Sequence, residues 1–253
     1  MSPRLQRVML LAAFALIAAS SGTSEQKYDV SGNDSFRIGT MMPTTSIAYI
    51  GTQRLTIDRN GPARRYTAEA TYRRSDDSGK AVVHARFVQE LNRAGDFEDR
   101  SDGDPDFLTI LNQPFAIQLD PTTMHDLRTM HGSIPFQAQS PFGGATLRGF
   151  LRPERAGRVS GQDVVGVRFE ARGPMSGPMP QHPEASIAGT IIMDGTAYYA
   201  THSALLLALN ATLSISGSLI DRSDEVPVKI VYKRSIRAND AAENWSAALH
   251  RAD

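Results

Sequence analysis

From residue 35 onward, apolar and polar residues alternate with a period of two. That is the repeat of a chain whose successive side chains point to opposite faces of a sheet. Tyr66, Ala68, Ala70 and Tyr72 share one phase, and Val83, Ala85, Phe87 and Leu91 share one phase of the next run. Asp76, Asp77, Ser78 and Gly79 lie between them and tolerate tight turns, so the pair is expected to form a hairpin. The pattern continues at Phe115, Ile117 and Leu119, and at Leu147 and Leu151. It is clearest where Val165, Val167, Phe169 and Ala171 oppose Arg168, Glu170 and Arg172. Near the end, Val226, Val228, Ile230 and Tyr232 oppose Lys229 and Lys233.

Two segments require a decision. Residues 203–219 are rich in alanine and leucine and suit a helix at first sight. However, Leu205, Leu207, Leu209, Leu213, Ile215 and Leu219 keep one phase of a period of two, which predicts a long strand bending at Gly217. Ile187, Gly189, Ile191 and Met193 run into Asp194-Gly195, the dipeptide that favours a two-residue hairpin, with 196–200 as the return strand. The prolines and glycines of 173–183 are expected to form a loop joining two strands.

Helical signals are few. Asp120 suits an N-cap, Pro121 a first helical position and Gly132 a C-terminal stop, which predicts a helix over 121–131. A second short helix is expected over 240–251, with Trp245 and Leu249 on one side. The whole reads as mainly β: an antiparallel curved sheet or incomplete barrel of roughly 9 to 11 strands with one or two short helices packed on it.

The first residues change the picture of where the protein works. Arg4 and Arg7 precede an uncharged run over 8–19 and the small residues Ser20, Ser21 and Gly22. This predicts a secretory signal peptide over 1–22, a flexible polar segment over 23–34 and a single β-rich domain over 35–253. The apolar run falls short of the roughly 20 residues a bilayer core needs, so a periplasmic or secreted protein without stable membrane insertion is expected. There is no cysteine, which removes disulfides, thiolate nucleophiles and thiolate metal sites together. Formal net charge is zero and no basic run stands out, so nucleic acid is not expected as a partner.

Candidate chemistry is sparse. No G-x-S-x-G elbow, H-E-x-x-H helix or P-loop occurs, and only His84 and His202, the latter beside Ser203, offer a start for a triad. A non-enzymatic protein without a cofactor is expected. The acidic residues between Asp96 and Asp106 lack the glycine and bidentate glutamate of a calcium loop, Phe107 and Gln113 standing in those places. They read as a solvated connection. Thr-Met-His occurs twice within 123–131, and methionine with histidine suits copper. A copper site would draw on Met124, His131, Met175, Met179 and His182. The helix alone does not build it: Met124 and His131 sit about 10 Å apart along the axis, while His125 and Met130 point in different directions.

The leading expectation is an apolar ligand, a lipid or a lipoprotein acyl chain, held on a concave sheet face. That face is lined by Val167, Phe169, Ile191, Leu207, Leu209 and Ile230, with the 121–131 helix as lid. In layout only, the chain resembles the periplasmic carriers of lipids and lipoproteins, which implies an open half-barrel covered by short helices. The alternatives are the copper-binding protein and a structural envelope module.

Overall fold

The structure is a computed structural model that describes residues 22–60, 64–75, 83–91, 97–101, 114–129, 132–140, 146–159, 161–179, 182–221, 224–239 and 249–251. Residues 1–21 of the predicted signal peptide, the 76–79 turn, His131 and most of 240–251 lie outside the described residues.

The strands are β1 (Thr23–Ile38), β2 (Thr45–Asp58), β3 (Arg64–Arg74), β4 (Val83–Leu91), β5 (Phe97–Ser101) and β6 (Ile134–Gln139). They continue with β7 (Thr146–Val159), β8 (Gln162–Met179), β9 (His182–Ala200), β10 (Leu206–Asp221), β11 (Asp224–Ala238) and β12 (Leu249–Arg251). All pairings are antiparallel, in the order β12-β7-β8-β9-β10-β11-β1-β2-β3-β4-β5, with β6 also on β7. The sheet is single and open, as expected.

One face carries the core. Tyr28 and Val30, Leu55 and Ile57, Tyr66 and Ala68, Phe169, Ile191, Leu213 and Ile236 all belong to it and are buried. A flat sheet with a short helix on it would not bury so much. The sheet is therefore rolled, and Gln118 shows by how much. Its side chain accepts bonds from Arg64 Nη1 (2.6 Å) and Tyr66 Oη (2.5 Å) on β3 and donates to the Ser203 carbonyl (2.7 Å) in the turn between β9 and β10. Strands β3 and β10 stand four spacings apart, about 19 Å across a flat sheet, where side chains point away from the plane. Only rolling brings both sides within reach of one glutamine.

Rolling needs backbones that approach closely. A Cβ on Gly51 would lie 2.1 Å from the Thr71 carbonyl oxygen, and one on Gly149 would lie 1.7 Å from that of Glu170. Glycines at these points let the strands coil over one another.

Several expectations are corrected. Residues 23–34 are not flexible: they belong to β1, which pairs with both β11 and β2 in the middle of the sheet. Their polarity reflects an outer face of Glu25, Lys27, Asp29 and Ser31, while Tyr28 and Val30 point inward. Asp194-Gly195 is not a turn but the interior of β9. Gly195 is there for contact: a Cβ would meet the Asn210 carbonyl at 2.1 Å and the Phe169 ring at 2.7 Å. Most of the 173–183 loop is strand, Pro174 and Pro178 belonging to β8. They lie past Arg172, where pairing with β7 stops, so β8 is an edge there and proline breaks no ladder on that side.

Residues 115–119 are not a strand. They form a 3-10 turn (Pro114–Ala116) and an isolated bridge between Gln118 and Leu205. The end of the predicted second helix, Leu249–Arg251, is a strand on β7. The first helix, α1 (Pro121–Thr129), forms as the caps dictate: Asp120 accepts from the Thr123 amide (2.9 Å) and from its hydroxyl.

Candidate functional site

Among the described residues, 114–129, the 3-10 turn followed by α1, cover the inner sheet face. Phe115, Ile117, Leu119, Met124 and Leu127 of this cover are buried against the sheet. The Phe115 ring lies 5.1 Å from Phe169 and 5.4 Å from Phe136, and Tyr199 Oη donates to the Phe115 carbonyl (2.7 Å). The Leu119 amide donates to Ala204 and the Leu206 amide to Ile117, tying the cover to the β9/β10 turn. Burying five such side chains contributes on the order of 10 kcal/mol. Gln118 supplies the polar fastening described above.

All six residues expected to line a ligand face are on this inner side or at its margin. Val167, Phe169, Ile191 and Leu209 are 0 to 1 % exposed, and Leu207 and Ile230 are 7 % exposed. Leu207 departs from the simple phase because β10 carries a bulge between Leu206 and Ala208, so Leu206 turns inward as well. With the cover in place, these side chains touch protein rather than solvent. Phe115 packs on the Phe169 ring.

The structure brings three of the Met and His candidates to one hairpin and places a fourth on α1. Met124 is buried under α1, whereas His125 is exposed. Met179 and His182 pair across the far end of the β8/β9 hairpin, with Met175 four residues before it. His131 and Met130 lie outside the described residues. Among the described residues, no group of three or more His, Asp or Glu side chains gathers in a way that holds a metal ion. His84 is exposed beside Thr71 Oγ1 (3.1 Å), and His202 is exposed in a turn. Of the acidic stretch, Glu98 and Asp99 lie in β5, while Asp102, Asp104 and Asp106 fall outside the described residues.

A buried polar cluster was not anticipated. Arg234 of β11 and Asp34 of β1 form an ion pair with both side chains at 0 % exposure. Arg234 Nη1 and Nη2 donate to the two carboxylate oxygens, the second at 3.1 Å, and Tyr49 Oη donates to Asp34 Oδ2 (2.7 Å). The guanidinium lies 5.1 Å from the Tyr49 ring centroid and 5.7 Å from that of Tyr232, within cation-π range of both. Burial, then the bond to Asp34 and that carboxylate's charge, hold the Tyr49 phenol protonated well above its usual range. Each group is satisfied, which makes the cluster a structural strut rather than a reactive centre. The strand phase signals it: two residues beyond Tyr232, the inward position of β11 is an arginine. Gln53 of β2 is also inward, and among the described residues its Oε1 has no hydrogen-bond partner.

The outer face carries two adjoining open hollows that share Ser31 and Ser235. One, of about 630 Å³, is lined by Asn33, Arg168, Asp194, Thr196, Asn210, Thr212 and Lys233 among others. The second, of about 710 Å³, continues over Ile50, Thr52, Thr71 and Arg73. Partial burial raises the Asp194 carboxyl above its ordinary value, partly offset by Arg168.

Among the described residues, no helix is long and apolar enough to cross a membrane. No family model matches the chain, and no curated protein matches it in sequence.

Proposed function

We propose that the chain is an exported, non-enzymatic binding protein that takes up an apolar ligand between the inner sheet face and the 114–129 cover. The observation that carries this reading is the seat of Phe115 on Phe169. Among the described residues, it is the short segment 114–129 and not a second sheet that packs on the apolar face of the open sheet, and its side chains take the place a guest would occupy. Lifting the cover exposes apolar area equivalent to on the order of 10 kcal/mol, so only a ligand of comparable apolar area stabilises the open form. A lipid or an acyl chain has that area; a small polar metabolite does not. The residues in contact would be Val167, Phe169, Ile191, Leu207, Leu209 and Ile230, with Gln118 refastening the cover.

The test is native mass spectrometry of protein purified from the cells that make it, followed by organic extraction and titration with a fluorescent fatty-acid analogue. Expected are an extractable apolar adduct and saturable uptake of the analogue, with Phe115→Ala changing its affinity. A clean protein mass together with no uptake, in both the parent and Phe115→Ala, would sink the reading.

A further inference from the structure

Arginines that are scattered in the sequence are brought together by the register of β7 and β8. Arg148 stands directly opposite Arg172, and Arg152 directly opposite Arg168, all four on the outer face and exposed. Like charges directly across an antiparallel pair repel and weaken the sheet, yet this strand pair carries two such matches in a chain of zero net charge. Arg152 Nε donates to Ser133 Oγ (2.8 Å), but among the described residues none of the four is ion-paired to a carboxylate. Between the two pairs, Phe150 faces Glu170 and is 52 % exposed; Ile192, opposite Arg172, is 42 % exposed. The four arginine positions thus mark the corners of a rectangle, with the exposed Phe150 and Glu170 side by side at its centre and Asp194 of the next strand acting on Arg168.

We infer that this face of β7 and β8 docks on an anionic lipid bilayer. Arginine pairs bidentately with phosphate, and a bilayer presents phosphates side by side in one plane, matching guanidinium groups that stand side by side on a sheet. It also provides an apolar layer just beneath them, where Phe150 and Ile192 lose water. A soluble polyanion would meet the charges but leave both apolar side chains wet. The inference stands on these charges and exposures and does not depend on the interior holding a ligand.

Co-sedimentation of the full chain with vesicles tests it, comparing phosphatidylglycerol mixed equally with phosphatidylcholine against phosphatidylcholine alone. Binding is expected only to the anionic vesicles and is expected to fall steeply between low salt and about 0.5 M salt. Each arginine near such a surface is worth about fivefold, so Arg148→Gln with Arg168→Gln should weaken binding about 25-fold, and Phe150→Ser should weaken it further. These side chains are exposed, so circular dichroism should be unchanged. Relief of the like-charge matches should leave the thermal midpoint equal to or above that of the parent. Equal binding to both vesicle types, or undiminished binding by the variant with all four arginines replaced, overturns the inference. Binding to a soluble polyanion such as heparin with none to anionic vesicles overturns it too.

Discussion

Arg234 reaches over Gly32, on the neighbouring strand, to grip Asp34 from 200 residues away in sequence. A Cβ on Gly32 would lie 2.9 Å from Arg234 Nη1 and 2.7 Å from the Lys233 carbonyl, so the glycine makes room for the guanidinium. The pair joins the first strand of the fold to the last long one. It thereby fixes the central seam on which the sheet's order depends.

Breaking that pair from one side strands a buried charge. Asp34→Asn or Arg234→Met should each cost about 3 to 5 kcal/mol in urea unfolding. The double variant should cost well under the sum, because the second change removes the orphaned group. Additive losses would mean that the two side chains do not act on each other.

Gly32→Ala should destabilise by about 1 to 3 kcal/mol, since backbone and a wedged arginine both stand in the way. Gly177→Ala is the control: nothing lies within 4 Å of its Cβ position and its φ is ordinary. It should be neutral or slightly stabilising, since the unfolded chain loses freedom. Equal effects at the two positions would refute the packing account of Gly32.

Strand phase was legible because it is local, whereas strand partners were not. The runs at 66–72, 165–171 and 226–232 show their inner and outer faces by alternation alone, and the structure keeps those faces. Register is set by distant pairings, so Arg148 and Arg152 carry no mark in the sequence that they will face Arg172 and Arg168. Two short-range signals were overridden by tertiary contact: Asp194-Gly195, where the glycine admits the Phe169 ring, and Pro174 with Pro178, tolerated on an edge. The polar β1 looked loose because its two long partners, β2 and β11, lie elsewhere in the chain. Asp34 and Arg234 were within reach of the same phase argument, since both occupy inward positions among apolar neighbours.

Gln118→Ala removes an acceptor from Tyr66 and Arg64 and a donor from Ser203. Global stability should fall by about 1 to 3 kcal/mol. Amide hydrogen exchange should rise selectively over 114–129 and at the Leu206 amide, which bonds to Ile117. Exchange that rises uniformly over the sheet would show that the glutamine supports the fold as a whole and not the cover.

Asp194 gives a pH signature of unusual sign. Its folded-state carboxyl is raised by partial burial, so the native protein takes up a proton at higher pH than the unfolded chain does. The native state then binds more protons across the window between the two values, and stability contributed by this group grows as pH falls through it. Asp194→Asn should therefore raise the thermal midpoint at neutral pH, with the difference from the parent narrowing toward acid. A difference that widens toward acid would reverse the assignment.

The alkaline side rests on three phenols. Burial raises Tyr199, Tyr66 and Tyr49 above the ordinary tyrosine value of about 10, with the bond to Asp34 adding to the effect at Tyr49. Their contribution is fully present below the unfolded value and is lost as pH rises through it, because the unfolded chain releases protons that the native one retains. Stability should fall steadily above pH of about 10, and these three tyrosines should ionise only as the sheet unfolds. Absorbance at the phenolate band, followed with circular dichroism during alkaline titration, distinguishes the cases. Tyr199→Phe separates the hydrogen bond from the proton. It loses the bond to the Phe115 carbonyl, worth about 1 kcal/mol near neutrality, yet its stability should decline less steeply with alkali than the parent's. If all seven tyrosines ionise freely while circular dichroism stays native, the interior is open to solvent and the cover does not seal it.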